Sequence, residues 1–381
     1  MHQRSDNQTR FSMKRLLLLG GGHAHLTVLK HLAQHPAHGL EVFMITPHTY
    51  QHYSGMLPGQ IAGNYTADQS AIDLRPLLTK AKVQLIKERV IEMDTERRSV
   101  TLSNLQQVSY DLLSIDIGCE TDVSWLEMLG NQLLPVKPLD HFVKQWSRLL
   151  DVAKEKENFS LIVIGGGAAG VELAFAARAI FDQKKINAQV QLVASDAGLL
   201  KDHARTVQKR VKELLLTSKI TLHQARAVGT ESGIMLADGT QLSADYVIAA
   251  TGSRAPQWLR TTKLTLNPQG YIAVNSFHQS CSHPEIFAAG DVCVRTDLNM
   301  ARSGVHAVHA GPVLAYNLLA YVKGMPLRRY QARAHSLYLI SCGTRYAVAS
   351  WGRWGAQGHW VWRWKDRIDR RFIQKFSSTE W

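Results

Sequence analysis

The sequence predicts an α/β protein of two parallel-sheet units, followed by a C-terminal extension with an amphipathic helix. Three observations predict it. An apolar run, a glycine cluster and a helix-length segment open the chain; the same order restarts at Ser160; and the residues from Trp351 onward change composition, becoming rich in tryptophan and arginine.

In the first unit, Arg15 to Leu19 reads as a strand, Gly20-Gly21-Gly22 as a turn, His23 to His35 as a helix and Glu41 to Thr46 as a second strand. Continuous apolar runs of this kind suit a parallel sheet covered on both faces. Further strands are expected near Val83 to Ile86, Ser99 to Leu102 and Asp111 to Ile117. The stretch PHTYQHYSGMLPGQIAG between them reads as an ordered loop. The segment PVKPLD, Pro135 to Asp140, reads as a junction. After a helix from His141 to Lys156 comes the restart: strand Ser160 to Ile164, glycine turn Gly165 to Gly170, helix Val171 to Phe181, strand Gln189 to Val193 and a last strand Tyr246 to Ala250. A duplicated nucleotide-binding fold is the simplest account of this internal repeat.

Composition narrows the classes. A chain of 381 residues fits two or three domains. Its 45% hydrophobic and 20% charged content is that of a globular protein. The formal charge of +13 calls for an anionic membrane face, an anionic cofactor or nucleic acid. Cys119, Cys281, Cys293 and Cys342 are widely spaced, which argues against a disulfide scaffold or a zinc site and fits a reducing cytoplasm. The polar N-terminus and the short run Leu16 to Leu19 do not read as a signal peptide. No apolar stretch is long enough to span a bilayer, so any membrane contact is expected to be peripheral, on the inner face of the cell membrane.

A phosphate-binding turn uses glycines for the tight bend, for backbone approach to the diphosphate and for helix–strand packing, and it aims a helix N-terminus at the phosphates. Gly165, Gly167 and Gly170 satisfy all three positions of the second loop. In the first loop Gly20, Gly21 and Gly22 are followed by His23, Ala24 and His25, so a histidine stands at the third glycine position. The acid expected to hold a ribose after the second strand is Thr46-Pro47 in the first unit. In the second unit the strand ends Val193-Ala194-Ser195-Asp196, with Asp196 one step late. No arginine beside it marks a 2′-phosphate site, which favours NADH and leaves NADPH open.

The segment Ile286-Phe287-Ala288-Ala289-Gly290-Asp291 resembles the second FAD signature of the pyridine nucleotide–disulfide oxidoreductase superfamily. Ala250-Thr251-Gly252 and Asp116-Ile117-Gly118 resemble its crossover segments, and all five features stand in the family's order. Within the superfamily the chain is similar to type II NADH dehydrogenase-like flavoproteins of the branch fused to, or encoded beside, selenide, water dikinase. The strings GGGHAHLTVLKHL, YSGMLPG, IDLRPL, YDLLSIDIG and GVHAVHAGPVLAYNL carry that likeness. It implies two Rossmann-like domains: an FAD domain split between 13–140 and 266–330, an inserted NAD(P)H domain at 141–265, and a C-terminal domain at 331–381. FAD is the implied cofactor and NAD(P)H the co-substrate. Asp291 would hold the ribityl hydroxyls, Gly118 and Gly252 would sit at the crossings, and Ser54 to Pro58 would run beside the flavin. A helix from Ala310 to Leu319 would point its N-terminus, with His309 and Ala310, at the flavin pyrimidine. Glu172 resembles the family's glutamate near nicotinamide and flavin; its alternative is a carboxylate placed to suit a helix start. With no kinase domain following, a stand-alone oxidoreductase is expected.

Flavin and nicotinamide carry hydride chemistry themselves, and protein supplies orientation and electrostatics. The chain has neither the Cys-x4-Cys nor the Cys-x2-Cys pair of the family's disulfide reductases. Electrons are therefore expected to leave through a small acceptor, most simply a quinone. Two alternatives stay open. One is oxidation of sulfide or a selenium compound through Cys119 and Cys342; the other is a non-catalytic FAD-binding partner in selenium metabolism. The pairs His23/His25 and His306/His309 do not converge on a metal, and no metal is expected.

In the tail, Trp360, Trp364, Ile368, Phe372 and Phe376 recur every four residues, with Arg363, Lys365, Arg367, Arg370, Arg371 and Lys375 on the other face. Tryptophan beside basic residues suits a helix lying on an anionic membrane. The alternative is packing on the FAD domain or on a second copy in a homodimer. No nucleic-acid motif accompanies the charge, so no such partner is expected.

Overall fold

A computed structural model describes residues 13–298, 300, 304–332 and 336–377. Strand β1 (Lys14–Leu19) buries Leu16, Leu17, Leu18 and Leu19 completely, as a central strand covered on both faces must. The turn Gly20 to Gly22 leads into α1 (His23–Gln34), which returns the chain to β2 (Leu40–Ile45). Strands β3 (Gln84–Ile86) and β4 (Leu112–Ile115) extend the sheet on either side.

The second unit repeats the plan. Strand β5 (Leu133–Pro135), on the near side of the PVKPLD junction, already pairs with the second sheet. Then come α2 (Leu139–Glu155), β6 (Phe159–Ile164), α3 (Ala168–Gln183), β7 (Ala188–Ala194), β8 (Ile220–Gln224) and β9 (Tyr246–Ala249). The chain then returns to the first sheet as β10 (Ile286–Ala288), parallel to β4. Both sheets are all-parallel, with orders β10-β4-β1-β2-β3 and β5-β9-β6-β7-β8. The strand preceding each glycine turn is therefore central, and each turn sits where the strand order reverses, the place where doubly wound sheets bind ligands.

Helix α4 (Gly304–Val322) corrects one expectation. It starts at Gly304 rather than Ala310, so His309 and Ala310 lie in its second turn and not at its N-terminus. Pro312, a residue common in first turns, stands in the helix interior instead. Its neighbour Gly311 has a packing reason: a β-carbon there would come within 2.8 Å of Thr27 and 3.2 Å of the Ala24 carbonyl, so the absence of a side chain lets α4 lie against α1. Ala310 is buried in that same apolar layer.

The C-terminal extension forms an antiparallel sheet, β11 (Tyr338–Ser341), β12 (Ala347–Trp351) and β13 (Trp354–Gly358), and then α5 (His359–Ser377). It spans both units: Ile340, Cys342 and Val348 join the core around α3, while Phe376 joins the core around α1. The buried stripe of α5 is Val361, Lys365, Asp369 and Phe376, with Phe372 and Ile373 packed beside it. This corrects the expected faces. Lys365 is buried rather than on the basic side, and Trp360, Trp364 and Ile368 point outward at 53%, 37% and 40% exposure. The four-residue recurrence merged two adjacent stripes, because Lys365 and Asp369 can be buried as neutralising partners 2.6 Å apart. Among the described residues no helix is long and apolar enough to cross a membrane.

Candidate functional site

The first glycine turn forms one wall of a cleft of about 600 Å³. Gly20 takes φ +86°, and a β-carbon on it would come within 2.8 Å of the Asp116 carbonyl carbon and the Ile117 Cα. Only glycine lets β1 end flush against the end of β4 in this way. Gly22 lies equally close to the Asp116 carboxyl. Together with Gly21 and His23 these glycines line the cleft, facing Ser54, Gly118, Gly290 and Asp291. The α4 residues that reach the cleft are Gly304 and Ala307, the first turn of the longer helix, and not His309 or Ala310.

Ala24 and His25 stand behind the turn. His25, where a third glycine was expected, is fully buried: its Nδ1 lies 2.7 Å from the Gly20 carbonyl and its Nε2 2.8 Å from Ser114 Oγ. A carbonyl only accepts, so Nδ1 carries the hydrogen. Burial lowers the ring pKa to about 4, so it is neutral and Nε2 accepts from the serine. Helix–strand closeness is thus replaced by two buried hydrogen bonds rather than lost.

On the facing wall, Asp291 Oδ1 is buried with no partner, while Oδ2 lies 2.5 Å from Lys137 Nζ. Lys137 also reaches Cys119 Sγ at 3.2 Å. Burial works against the ammonium, but Asp291 and Cys119 together hold its pKa above the ordinary lysine range. Burial pushes the Cys119 thiol up despite Lys137, so no standing thiolate occupies the wall. An unpartnered carboxylate oxygen is an acceptor facing the cleft, and a ribityl hydroxyl is the donor that FAD would present to it. Two glycines without room for a side chain supply the backbone approach a diphosphate needs. The cleft fits FAD. Lys137 carried no motif in the sequence, and its place in a junction gave no hint that it meets Asp291.

The second loop is separate. Gly165 takes φ +140°, and its β-carbon would come within 2.7 Å of the Ala250 carbonyl carbon. Gly170 packs directly on the Gly165 carbonyl. Gly167 has open space around it and caps the N-terminus of α3, leaving that helix end free for phosphates. Gly252 lies beyond the crossing, where its carbonyl accepts the Asp122 N–H at 2.8 Å. At the end of β7, Asp196 pairs with Arg226 at 3.4 Å. An arginine does stand beside the nucleotide strand, supplied by a segment thirty residues away.

Glu172, two residues after Gly170 in α3, reaches the C-terminal extension. Its Oε1 accepts the Ser341 N–H at 2.8 Å. Burial raises its pKa to about 7, opposed by Lys365 and that hydrogen bond. Lys365 Nζ in turn donates to the Gly55 carbonyl and to Asp369 Oδ2, both at 2.6 Å. Tyr53 donates to Asp369, stacks on Phe372 at 4.3 Å and meets the edge of His23 at 5.6 Å. The loop Tyr53 to Gly55 therefore joins the cleft to the cluster around Glu172. Among the described residues no group of His, Cys, Asp and Glu side chains could hold a metal ion.

Fold and site define a two-nucleotide flavoprotein oxidoreductase, and residues 14–312 match the family described as pyridine nucleotide-disulphide oxidoreductase. The chain belongs to that family, and its cofactors are FAD and NAD(P)H. A FAD-dependent oxidoreductase of Flammulina velutipes is 25% identical over 303 residues, covering 75% of this chain and 87% of that one. Among solved structures, NDH2 of Plasmodium falciparum in complex with NADH superposes with a TM-score of 0.80 at 15% identity, over 95% of this chain and 98% of that one. The sulfide:quinone oxidoreductase of Aquifex aeolicus gives 0.78 at 16% identity, over 96% and 92%. These two likenesses establish the fold.

Replacing Asp291 with Ala removes the acceptor that awaits the ribityl chain and strands Lys137. A charge-assisted hydrogen bond of roughly 1.5–3 kcal/mol implies FAD affinity weaker by about one to two orders of magnitude. Flavin content of the purified variant, read by absorbance and by fluorescence of released FAD, checks it.

Proposed function

We propose that this chain is an FAD-dependent NAD(P)H dehydrogenase that passes reducing equivalents to a quinone-like small acceptor. The observation that carries the reading is the pairing of a flavin cradle with a second, open nucleotide loop in a chain without a redox dithiol. Cys119 and Cys342 are free thiols in separate places, Cys119 in the core beside the cleft and Cys342 in the core around α3. With no disulfide to relay electrons, a diffusible acceptor must collect them. When bound, FAD supplies the hydride-accepting and electron-donating chemistry. NADH docks its diphosphate at Gly165 to Gly170, against the N-terminus of α3.

In this reading Glu172, which gains and loses its proton near pH 7, delivers it as the acceptor is reduced. Its position supports the role: it is desolvated, hydrogen-bonded to backbone, and linked through Lys365 to the carbonyl of Gly55. The acceptor meets the enzyme at a membrane surface. Trp360, Trp364 and Ile368 share the outward face of α5 with Arg363, Arg367 and Arg371, and the adjoining hairpin exposes Trp351 and Trp354 at 56% and 47%. Aromatic rings interleaved with arginines favour the headgroup region of an anionic bilayer.

Steady-state oxidation of NADH with a soluble quinone tests the function: turnover is expected, and none with any quinone contradicts it. Glu172 loses its proton as pH rises through about 7, so quinone reduction should slow by roughly tenfold per unit above that value. Glu172→Gln should be slow and flat across the same range. Sedimentation with vesicles containing phosphatidylserine should retain the protein. The triple variant W360A/W364A/I368A should release it, and raising the salt concentration should weaken binding in both.

A further inference from the structure

Asp116, His25 and Ser114 form a buried polar group against the first glycine turn, with His23 beside it on the cleft wall, that the chemistry above leaves unused. Asp116 follows β4 and is 3% exposed. Its Oδ2 accepts the N–H groups of Ala24 at 2.8 Å and His25 at 3.1 Å, and its carbonyl accepts the Gly22 N–H at 3.2 Å. Its Oδ1 faces Gly290, where a β-carbon would come within 2.6 Å. A carboxyl group is thus enclosed between the two glycine segments that form the cofactor cradle.

The N-terminus of α1 is where a diphosphate docks, because its first N–H groups have no partner within the helix. Asp116 already takes two of them. An ionised Asp116 and a diphosphate would therefore place like charges at one helix end. The charged and titratable groups facing Asp116 are His23 and His25 from α1 and Asp291 from the opposite wall. Only His23 favours the charged carboxylate, and burial lowers the pKa of its own ring. His25 is neutral, with both ring nitrogens engaged, and Asp291 is itself an acid. Lys137, on the facing wall, is committed to Asp291 and Cys119.

We propose that Asp116 carries a proton in the FAD-loaded protein, so that FAD binding takes up one proton and weakens as pH rises. The inference rests on the assignment of the cleft to FAD. The protonated carboxyl keeps its place: Oδ2 goes on accepting from Ala24 and His25, and Oδ1 carries the hydrogen. The direction follows from linkage. Burial already lifts the free protein's Asp116 to about 6, against its two N–H bonds, and a diphosphate pushes it further the same way. Between the free and loaded values, unloaded Asp116 is ionised and loaded Asp116 is not. Across that window, starting near pH 6, the dissociation constant for FAD rises by about tenfold per pH unit.

The test is calorimetric titration of FAD into the flavin-stripped full-length protein at pH 7.5, in buffers of different ionisation enthalpy. The wild type should take up about one proton, Asp116→Asn none, and His23→Gln, whatever its affinity for FAD, should still take up about one. Binding without uptake in the wild type, or uptake that vanishes in His23→Gln and persists in Asp116→Asn, overturns the inference. Should Asp116→Asn fail to fold, infrared spectra of FAD-loaded wild type with isotope-labelled aspartate decide the matter. A protonated carboxylic acid band at pH 7.5 that is lost on removing FAD supports the inference, and its absence overturns it. A protein that binds no FAD at any pH overturns the cofactor assignment as well, which distinguishes the two failures.

Discussion

One steric constraint organises the molecule: in each unit the central strand must end against a crossing segment with no room for a β-carbon. Gly20 meets Asp116 and Ile117, and Gly165 meets the backbone of Ala250. Each contact fixes the glycine turn at the reversal of strand order and aims the following helix into the space beyond the sheet. The two sites follow from repeating this arrangement. They differ in what supports it. The second turn rests on a further glycine, Gly170, packed on Gly165, whereas the first rests on the hydrogen-bonded side chains of His25 and Asp116.

The C-terminal extension depends on that frame and completes it. Helix α5 buries an ion pair of its own, Lys365 with Asp369, that would be costly unless its remaining donors were used. They are used on the Gly55 carbonyl, beside the cleft, and the pair lies close enough to Glu172 to moderate its protonation. One lysine therefore ties the extension to the loop beside the cleft and to the acid proposed to deliver protons. Because this inward stripe is satisfied, the neighbouring stripe of Trp360, Trp364 and Ile368 is left outward.

Much of this was legible in the sequence, for identifiable reasons. The strand–glycine–helix units declare themselves through local steric needs, and Asp291 stands in a segment whose order of residues is itself a motif. The all-parallel sheets follow from the uninterrupted apolar strands. What was not legible depends on distant partners. His25 reads as a defect in a glycine pattern until Ser114 and the Gly20 carbonyl are seen to satisfy it. The expected helix begins six residues after Gly304 because nothing local marks the earlier turns, and Gly311 is explained only by the approach of α1. Periodicity could not separate the two stripes of α5, since a lysine is buried only if something neutralises it, and Gly55 lies 310 residues away. Lys137 at Asp291 and Arg226 at Asp196 are likewise contacts between segments that share no local pattern.

The central claim is that one chain binds flavin in the first cleft and receives hydride from a nicotinamide docked at the second loop. The most direct measurement is the visible absorbance spectrum of the purified protein under anaerobic conditions, before and after adding NADH. Oxidised-flavin bands should bleach on mixing and return when a quinone is admitted. A protein that shows no flavin bands, or whose flavin stays oxidised with both NADH and NADPH, would contradict that claim.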